Sequence, residues 1–216
     1  MALLTPPTPR LKTNWFRHGD SRGAALQASA AAFIVWRVSR HTLDRMRHAG
    51  FDVEVGPPYF QFLREVLAFL AAIADRIAHA RLEPGQRVEF TVALVHHLAR
   101  ILQDSEDDLL GPAAAGQPSN GESFIRLVDE LSEHYAEFGA DPSVAAQPNS
   151  FEPDFGFVRY LGHRLEATLP SKDRRWVLDQ VMACEAPDAI AMLQRSLREL
   201  FEPPARSARR SAVSGD

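Results

Sequence analysis

Three consecutive segments between residues 59 and 138 carry large apolar residues at helical spacing, and this pattern constrains the fold more than any other feature. The segments cover about Tyr59–Arg81, Pro84–Leu110 and Gly121–Phe138. Apolar residues three and four positions apart line one face of a helix, and we expect the ionisable side chains to lie on the opposite arc. Such helices are stable only when their apolar faces pack together, so the pattern predicts an all-α fold.

Further helices are predicted on both sides of these segments. A first helix is expected over Ser21–His48, with Asp20 or Ser21 as N-cap and Gly50 as the C-terminal stop. Later helices are expected at three places: residues 155–169, Lys172–Cys184 and Asp188–Phe201. Their spacing places Phe155 and Trp176 toward the core.

Together these segments predict a bundle of four to five long helices, extended by two shorter C-terminal helices. At 216 residues and 45% apolar content, one domain over residues 20–202 is favoured. Residues 1–19 and 203–216 lack apolar periodicity, and we expect them to be disordered tails.

Cysteine content and apolar run lengths indicate the compartment. Cys184 is the single cysteine, so the chain has no intrachain disulfide framework. The longest apolar stretch, Ala24–Trp36, is shorter than the roughly 20 residues that a membrane span needs. No secretory signal pattern precedes it. We therefore expect a cytoplasmic protein without a membrane span.

Charge is distributed unevenly along the chain. Residues 1–50 carry a net charge of +6, residues 51–150 a net charge of −10, and residues 151–216 no net charge. The basic residues of the first helix share one broad face. The candidate anion- or partner-binding residues on this face are Arg37, Arg40, Arg45 and Arg47.

Two interpretations of this basic face remain open. It can bind an anionic partner such as a nucleic acid or a phosphate ligand, although no recognisable nucleic-acid-binding motif accompanies it. It can also pair with the acidic block of the same chain or of a second subunit, which we favour.

The eight histidines are the natural candidates for metal ligands, haem ligands or a general base. Most fall in polar arcs of their helices, and neither Glu-x-x-His nor His-Glu-x-x-His occurs. We therefore predict no catalytic residues, no metal and no cofactor. The alternative is a metal- or cofactor-binding bundle that uses His97 or His134.

Two further features carry structural expectations. The acidic run Asp104–Asp108 lies at a helix C-terminus and is expected to be solvated. Four phenylalanines can either fill the core or line an apolar cavity for a small ligand: Phe60, Phe62, Phe69 and Phe90.

Four short strings resemble segments of an uncharacterised bacterial all-helical family. They are Tyr59–Glu65, Asp75–Ile77, Pro170–Trp176 and Glu185–Pro187. The resemblance covers most of residues 55–202 and implies a helical bundle, with no function attached.

These observations favour a non-enzymatic helical interaction or structural protein that self-associates or contacts a protein partner through its charged surfaces. The alternatives are an anion-binding regulator that uses the basic first helix, and the metal- or cofactor-binding bundle.

Overall fold

A computed structural model describes residues 23–143 and 150–202 of the chain. Its helices are α1 (Ala24–His48), α2 (Pro57–His79), α3 (Pro84–Leu110), α4 (Asn120–Ala136), α5 (Phe155–Glu166), α6 (Ser171–Gln180) and α7 (Ala186–Phe201). A π-helical turn, Val181–Glu185, joins α6 to α7. The predicted all-α fold is confirmed over these ranges. The tails expected at residues 1–19 and 203–216 lie outside them.

α2 is the central helix, because it packs against α1, α3, α4, α5 and α7. It is apolar on nearly every side, and such a helix is stable only when other helices surround it. Its largest buried side chains are Phe60, Phe62, Leu63, Leu67, Phe69, Leu70 and Ile73. Burying one side chain of this size contributes about 1.5–3 kcal/mol, so α2 anchors the core.

α3 has the predicted limits but not the predicted buried face. Its buried stripe repeats every four residues through Phe90, Leu94, Leu98 and Leu102. Val88 and Val92, which the helical pattern also places on the apolar face, are 63% and 52% exposed. They stay exposed because the helices that pack on α3, namely α1, α2 and α4, contact it along the stripe from Phe90 to Leu102.

α1 begins at Ala24 with Gly23 as its N-cap, three residues later than expected. Its end confirms the predicted stop at Gly50. The Gly50 N–H donates to the Arg47 carbonyl at 3.0 Å, and the Phe51 N–H donates to the Met46 carbonyl at 3.1 Å. This pair of bonds requires a positive φ, and glycine adopts its value of 93° without strain.

α4 begins with a capping box that the sequence reading missed. The Ser119 side chain accepts a hydrogen bond from the Glu122 N–H, and the Glu122 carboxylate accepts one from the Ser119 N–H. Two residues after the cap, Gly121 lies against α3. A Cβ atom there would be 3.3 Å from the Ala99 carbonyl oxygen, so glycine allows the close approach of α4 to α3.

α5 is held at its start by Asp154. One carboxylate oxygen accepts the Phe157 N–H, and the other accepts the Gly139 N–H, each at 2.8 Å. Phe155, expected in the core, is exposed. It is the first helical residue, and its neighbour Phe157 takes the buried position instead.

The two C-terminal helices, expected as separate elements, form one continuous helical run. Pro187 explains the π turn inside it. Proline has no N–H for the carbonyl four residues earlier, and its ring crowds that carbonyl. In the wider π turn each N–H donates to the carbonyl five residues earlier instead of four, and the Ala186 N–H accordingly donates to the Val181 carbonyl.

Candidate functional site

A buried ion pair joins α2 to α5. The side chain of Glu65 is only 2% exposed. Its two carboxylate oxygens accept hydrogen bonds from Nε and Nη2 of Arg164 at 2.9 and 2.8 Å. Gln61 donates a third bond at 2.9 Å. The expectation that every ionisable side chain lies on an outer arc is wrong here, because a distant helix supplies the opposite charge.

Aromatic rings cover this ion pair. Tyr135 of α4 stacks on Phe157 with ring centroids 4.6 Å apart, and it meets the edge of Tyr160 at 5.3 Å. The Tyr135 hydroxyl is buried and has no hydrogen-bond partner among the described residues. Burial raises the pKa of this phenol well above its usual range. Tyr135 therefore stays protonated at neutral pH and serves as a packing residue.

A second polar network lies where α3 ends and α4 begins. Arg64 Nη2 donates to Glu106 Oε2 at 2.6 Å and to Asn120 Oδ1 at 3.3 Å. Asn120 in turn donates to Asp107 at 2.9 Å. Burial raises the pKa of Glu106, whereas its attraction to Arg64 opposes the rise. The expectation that Asp104–Asp108 is wholly solvated is wrong, because Glu106 points inward to Arg64.

The third network fixes the end of α1 against the π turn. Glu185 is buried and accepts hydrogen bonds from Arg45 Nε and from Gln180, each at 2.8 Å. Arg45 Nη2 also pairs with Asp188 at 2.7 Å. Both ion-pair partners of Arg45 belong to residues 151–216, rather than to the acidic block of residues 51–150.

The four candidate arginines of α1 fall into two pairs. Arg45 is engaged as described, and Arg47 donates to the Val53 carbonyl at 2.8 Å and lies over the Tyr59 ring. Arg37 and Arg40 are exposed and form no ion pair within the described ranges. Arg45 and Arg47 are therefore engaged within the fold, whereas Arg37 and Arg40 are not paired with a carboxylate of the described residues.

The two histidines considered for a cofactor lie on different helices. His134 is exposed on α4, where its ring lies 5.5 Å from that of Tyr160. His97 is half-buried on α3. In the part of the chain that the structure describes, no group of three or more His, Cys, Asp or Glu side chains is arranged to hold a metal ion. The metal- or cofactor-binding bundle stays an untested alternative.

A notch of about 450 Å³ lies between the end of α1 and the outer face of α6, here named the α1–α6 notch. Its lining residues are Ala49, Gly50, Phe51, Asp173, Trp176, Asp179, Gln180 and Ala183. Trp176, expected in the core, is 55% exposed. The neighbouring Val177 takes the buried position, and the Trp176 ring turns outward with the Arg175 guanidinium 5.0 Å from its centroid.

The charged groups of the notch are acidic. Asp173 accepts a hydrogen bond from the Asp52 N–H at 2.8 Å, which ties the loop after α1 to α6. Asp179 is exposed and has no ion-pair partner among the described residues. The lining thus combines one large aromatic ring with two carboxylates.

A second concavity of about 370 Å³ opens between α2, α3 and the C-terminal half of α4, here named the α2–α4 cleft. Its floor and walls are mainly small or branched apolar side chains: Ala68, Ala71, Ala72, Val95, Val128 and Leu131. Its polar end holds Asp75, Arg76, Arg87 and Thr91. The sequence reading identified none of these as site residues.

The phenylalanine cavity considered from the sequence is absent from the described ranges. Phe60, Phe62, Phe69 and Phe90 are all fully buried and belong to the packed core. Phe69 meets Phe157 and Tyr135 edge-on, so neighbouring rings fill the space around its side chain. These side chains fill the core rather than line a ligand site.

No family model matches the chain, and no curated protein or solved structure matches it either. None of the helices over residues 23–143 and 150–202 is long and apolar enough to cross a membrane.

The ion pair between Glu65 and Arg164 could have been predicted from the sequence. Glu65 lies three residues after Phe62 and four before Phe69, so helical spacing places it on the apolar stripe. Arg164 lies three residues after Leu161 in the same way. Two opposite charges within two apolar stripes indicate a buried pair. The α1–α6 notch and the α2–α4 cleft could not be predicted in this way, because each is lined by residues from helices that are distant in the sequence.

Proposed function

We propose that this protein is a non-enzymatic helical interaction protein that self-associates through the α1–α6 notch. The observation that carries the proposal is the outward position of Trp176 beside an open, acidic groove. Tryptophan buries a large area with few rotatable bonds, and it is enriched among the residues that dominate binding energy at interfaces.

The occupant we propose is the segment of residues 203–216 of a second copy. This segment carries Arg206, Arg209 and Arg210 and a single acidic residue, Asp216, so its net charge is +2. Arginine side chains pair with carboxylates and stack on tryptophan rings, and an incoming arginine would pair with Asp179 beside the Trp176 ring, which Arg175 of the same chain already contacts.

The dimensions favour a second copy over the same chain. Trp176 and Phe201 are separated by 25 helical residues, or roughly 37 Å along the helix. Arg210 lies nine residues beyond Phe201, and an extended chain of that length reaches at most about 32 Å. The tail of the same chain would have to be almost fully extended for Arg210 to come near Trp176, whereas the tail of a second copy is under no such constraint.

Sedimentation velocity over a concentration series tests the proposal. We expect the full chain to self-associate, and the association to weaken as salt is added. Trp176→Ala should weaken it at least tenfold without lowering the melting temperature, since the ring is exposed. Asp179→Lys should weaken it, as should Arg209→Glu combined with Arg210→Glu.

The charge swap is the discriminating arm of this experiment. A chain that combines Asp179→Lys with Arg209→Glu and Arg210→Glu should regain association, because the complementary charges are restored in reverse. Asp129→Lys, an exposed acid on α4, is the matched control and should leave association unchanged. A full chain that stays monomeric at every concentration would overturn self-association, and association that survives Trp176→Ala would overturn the notch.

The second candidate function is anion binding at the free half of the α1 basic face. The observation that favours it is that Arg37 and Arg40 are exposed without ion pairs in the described part of the chain. Heparin and a short DNA duplex serve as probes. Arg37→Glu with Arg40→Glu should abolish binding and its salt dependence, whereas Arg100→Glu on α3 should not. Equal binding by both variants would refute this function.

A further inference from the structure

The α2–α4 cleft has the volume of a small-molecule site. Its 370 Å³ lies within the range of roughly 300–1,000 Å³ that ligand pockets occupy. Ala68, Ala71 and Ala72 form its floor on α2, where larger side chains would fill the gap to α3 and α4. Val95 and Val128 supply apolar walls from the two flanking helices. An apolar group of a ligand would therefore be well accommodated.

The polar end of the cleft carries one positive charge in excess. Arg87 and Asp75 form a closed ion pair, with Nε 3.0 Å from Oδ1, and Thr91 donates to the same carboxylate at 2.6 Å. This pair is neutral as a unit. Arg76 has no carboxylate partner among the described residues and is the source of the excess charge.

Arg76 has unused hydrogen-bond donors. Its Nη2 group donates to the carbonyls of Tyr135 and Phe138, both at the long distance of 3.3 Å. Its Nε and Nη1 groups have no hydrogen bond within the described ranges, and neither is among the buried unpaired atoms. The guanidinium also lies over the Phe151 ring, 5.7 Å from its centroid, so it is held at one nitrogen and one face while its other donors are left for a ligand.

We propose that the α2–α4 cleft binds a small monoanion with an apolar tail, whose carboxylate pairs with Arg76 and whose tail lies along the alanine floor. An arginine fork matches a carboxylate in geometry and charge. The Asp75 carboxylate disfavours a ligand with a second negative charge, and Arg76 disfavours a cation. This site is separate from the α1–α6 notch and does not depend on self-association.

Isothermal titration calorimetry with linear carboxylates tests the inference. The probes are hexanoate, octanoate and decanoate, with octan-1-ol and octylamine as neutral and cationic analogues. We expect the carboxylates to bind one per chain, more tightly as the tail lengthens until the cleft is filled. The alcohol should bind at least tenfold more weakly than octanoate, and the amine should not bind.

Two variants separate the head-group contact from the tail contact. Arg76→Gln should weaken the binding of octanoate at least tenfold and leave the affinity for octan-1-ol unchanged. Ala72→Trp should abolish the binding of both by filling the floor. Arg126→Gln, an exposed arginine near the start of α4, is the matched control. Melting temperatures verify that each variant is folded.

Three results would overturn the inference. They are the absence of carboxylate binding to the wild-type chain at millimolar concentration, equal octanoate affinity in Arg76→Gln, and unchanged binding in folded Ala72→Trp. If Ala72→Trp does not fold, Val128→Phe narrows the same cleft from α4 and gives the same test.

Discussion

Replacing Arg164 by leucine tests whether charge pairing holds α5 on α2. The substitution leaves the Glu65 carboxylate buried, with Gln61 as its remaining hydrogen-bond donor among the contacts described. Removing one partner of a buried pair costs about 3–5 kcal/mol, because the other charge is left uncompensated. Arg164 is 28% exposed, so we expect the lower end, about 3 kcal/mol. For a chain of this length that lowers the melting temperature by about 6–12 °C.

The double variant Glu65→Leu with Arg164→Leu isolates the charge effect. It removes both ions and fills the site with apolar groups, a change that is often neutral or stabilising. We therefore expect the double variant to lie within about 1 kcal/mol of the wild type and to be more stable than Arg164→Leu. Urea denaturation followed by circular dichroism gives the free energy of unfolding for all four members of the cycle.

The matched control is Arg159→Leu, which removes an exposed arginine from the same helix and should change stability by less than about 0.5 kcal/mol. Charge pairing does not hold α5 on α2 if Arg164→Leu lowers the free energy of unfolding no more than this control does. The same conclusion follows if the double variant is as unstable as the single variant, since packing rather than charge would then account for the loss.

Three further predictions concern stability. Burial raises the pKa of Glu106, so the folded state holds its proton to higher pH and stability falls as pH rises through that window. Glu106→Gln should therefore reduce the loss of unfolding free energy that accompanies a rise in pH above the ordinary range of a glutamate, measured by urea titrations at several pH values; an unchanged pH dependence would contradict this. Ser119→Ala removes the α4 cap and should lower the free energy of unfolding, measured by calorimetry, by about 1 kcal/mol. An unchanged free energy would show that packing alone holds the start of the helix. Arg45→Leu leaves buried Glu185 without its nearest counter-ion and should lower the urea midpoint of unfolding, whereas Arg40→Leu should leave it unchanged; equal effects would contradict the structural division of these arginines.

The fold class could be read from the sequence because helical periodicity is a local property. The limits of α3 and the stop of α1 at Gly50 follow from residues within a few positions of each other. The error at the C-terminal helices has a local cause as well. Pro187 normally ends a helix, but a widened turn keeps the helix continuous without the missing N–H.

The candidate sites were much less predictable. Asp75, Arg76 and Arg87 come together only because α3 folds back along α2, and α4 then closes one side of the cleft. Trp176 is a large apolar residue of the kind usually found in a core, yet no helix within residues 23–143 and 150–202 covers the face of α6 on which it lies. Which apolar residues stay exposed depends on where the neighbouring helices end.

The sequence by itself determined that this chain forms helices, roughly where they begin and end, and that their apolar faces must pack into one core. Those properties depend on hydrogen bonds and side-chain spacing within a few turns. Only the tertiary structure decided which charges are buried, because Glu65 and Arg164 are 99 residues apart and neither charge is tolerable inside without the other. The tertiary structure also decided the α1–α6 notch and the α2–α4 cleft, since each is the space left where helices from distant parts of the chain diverge.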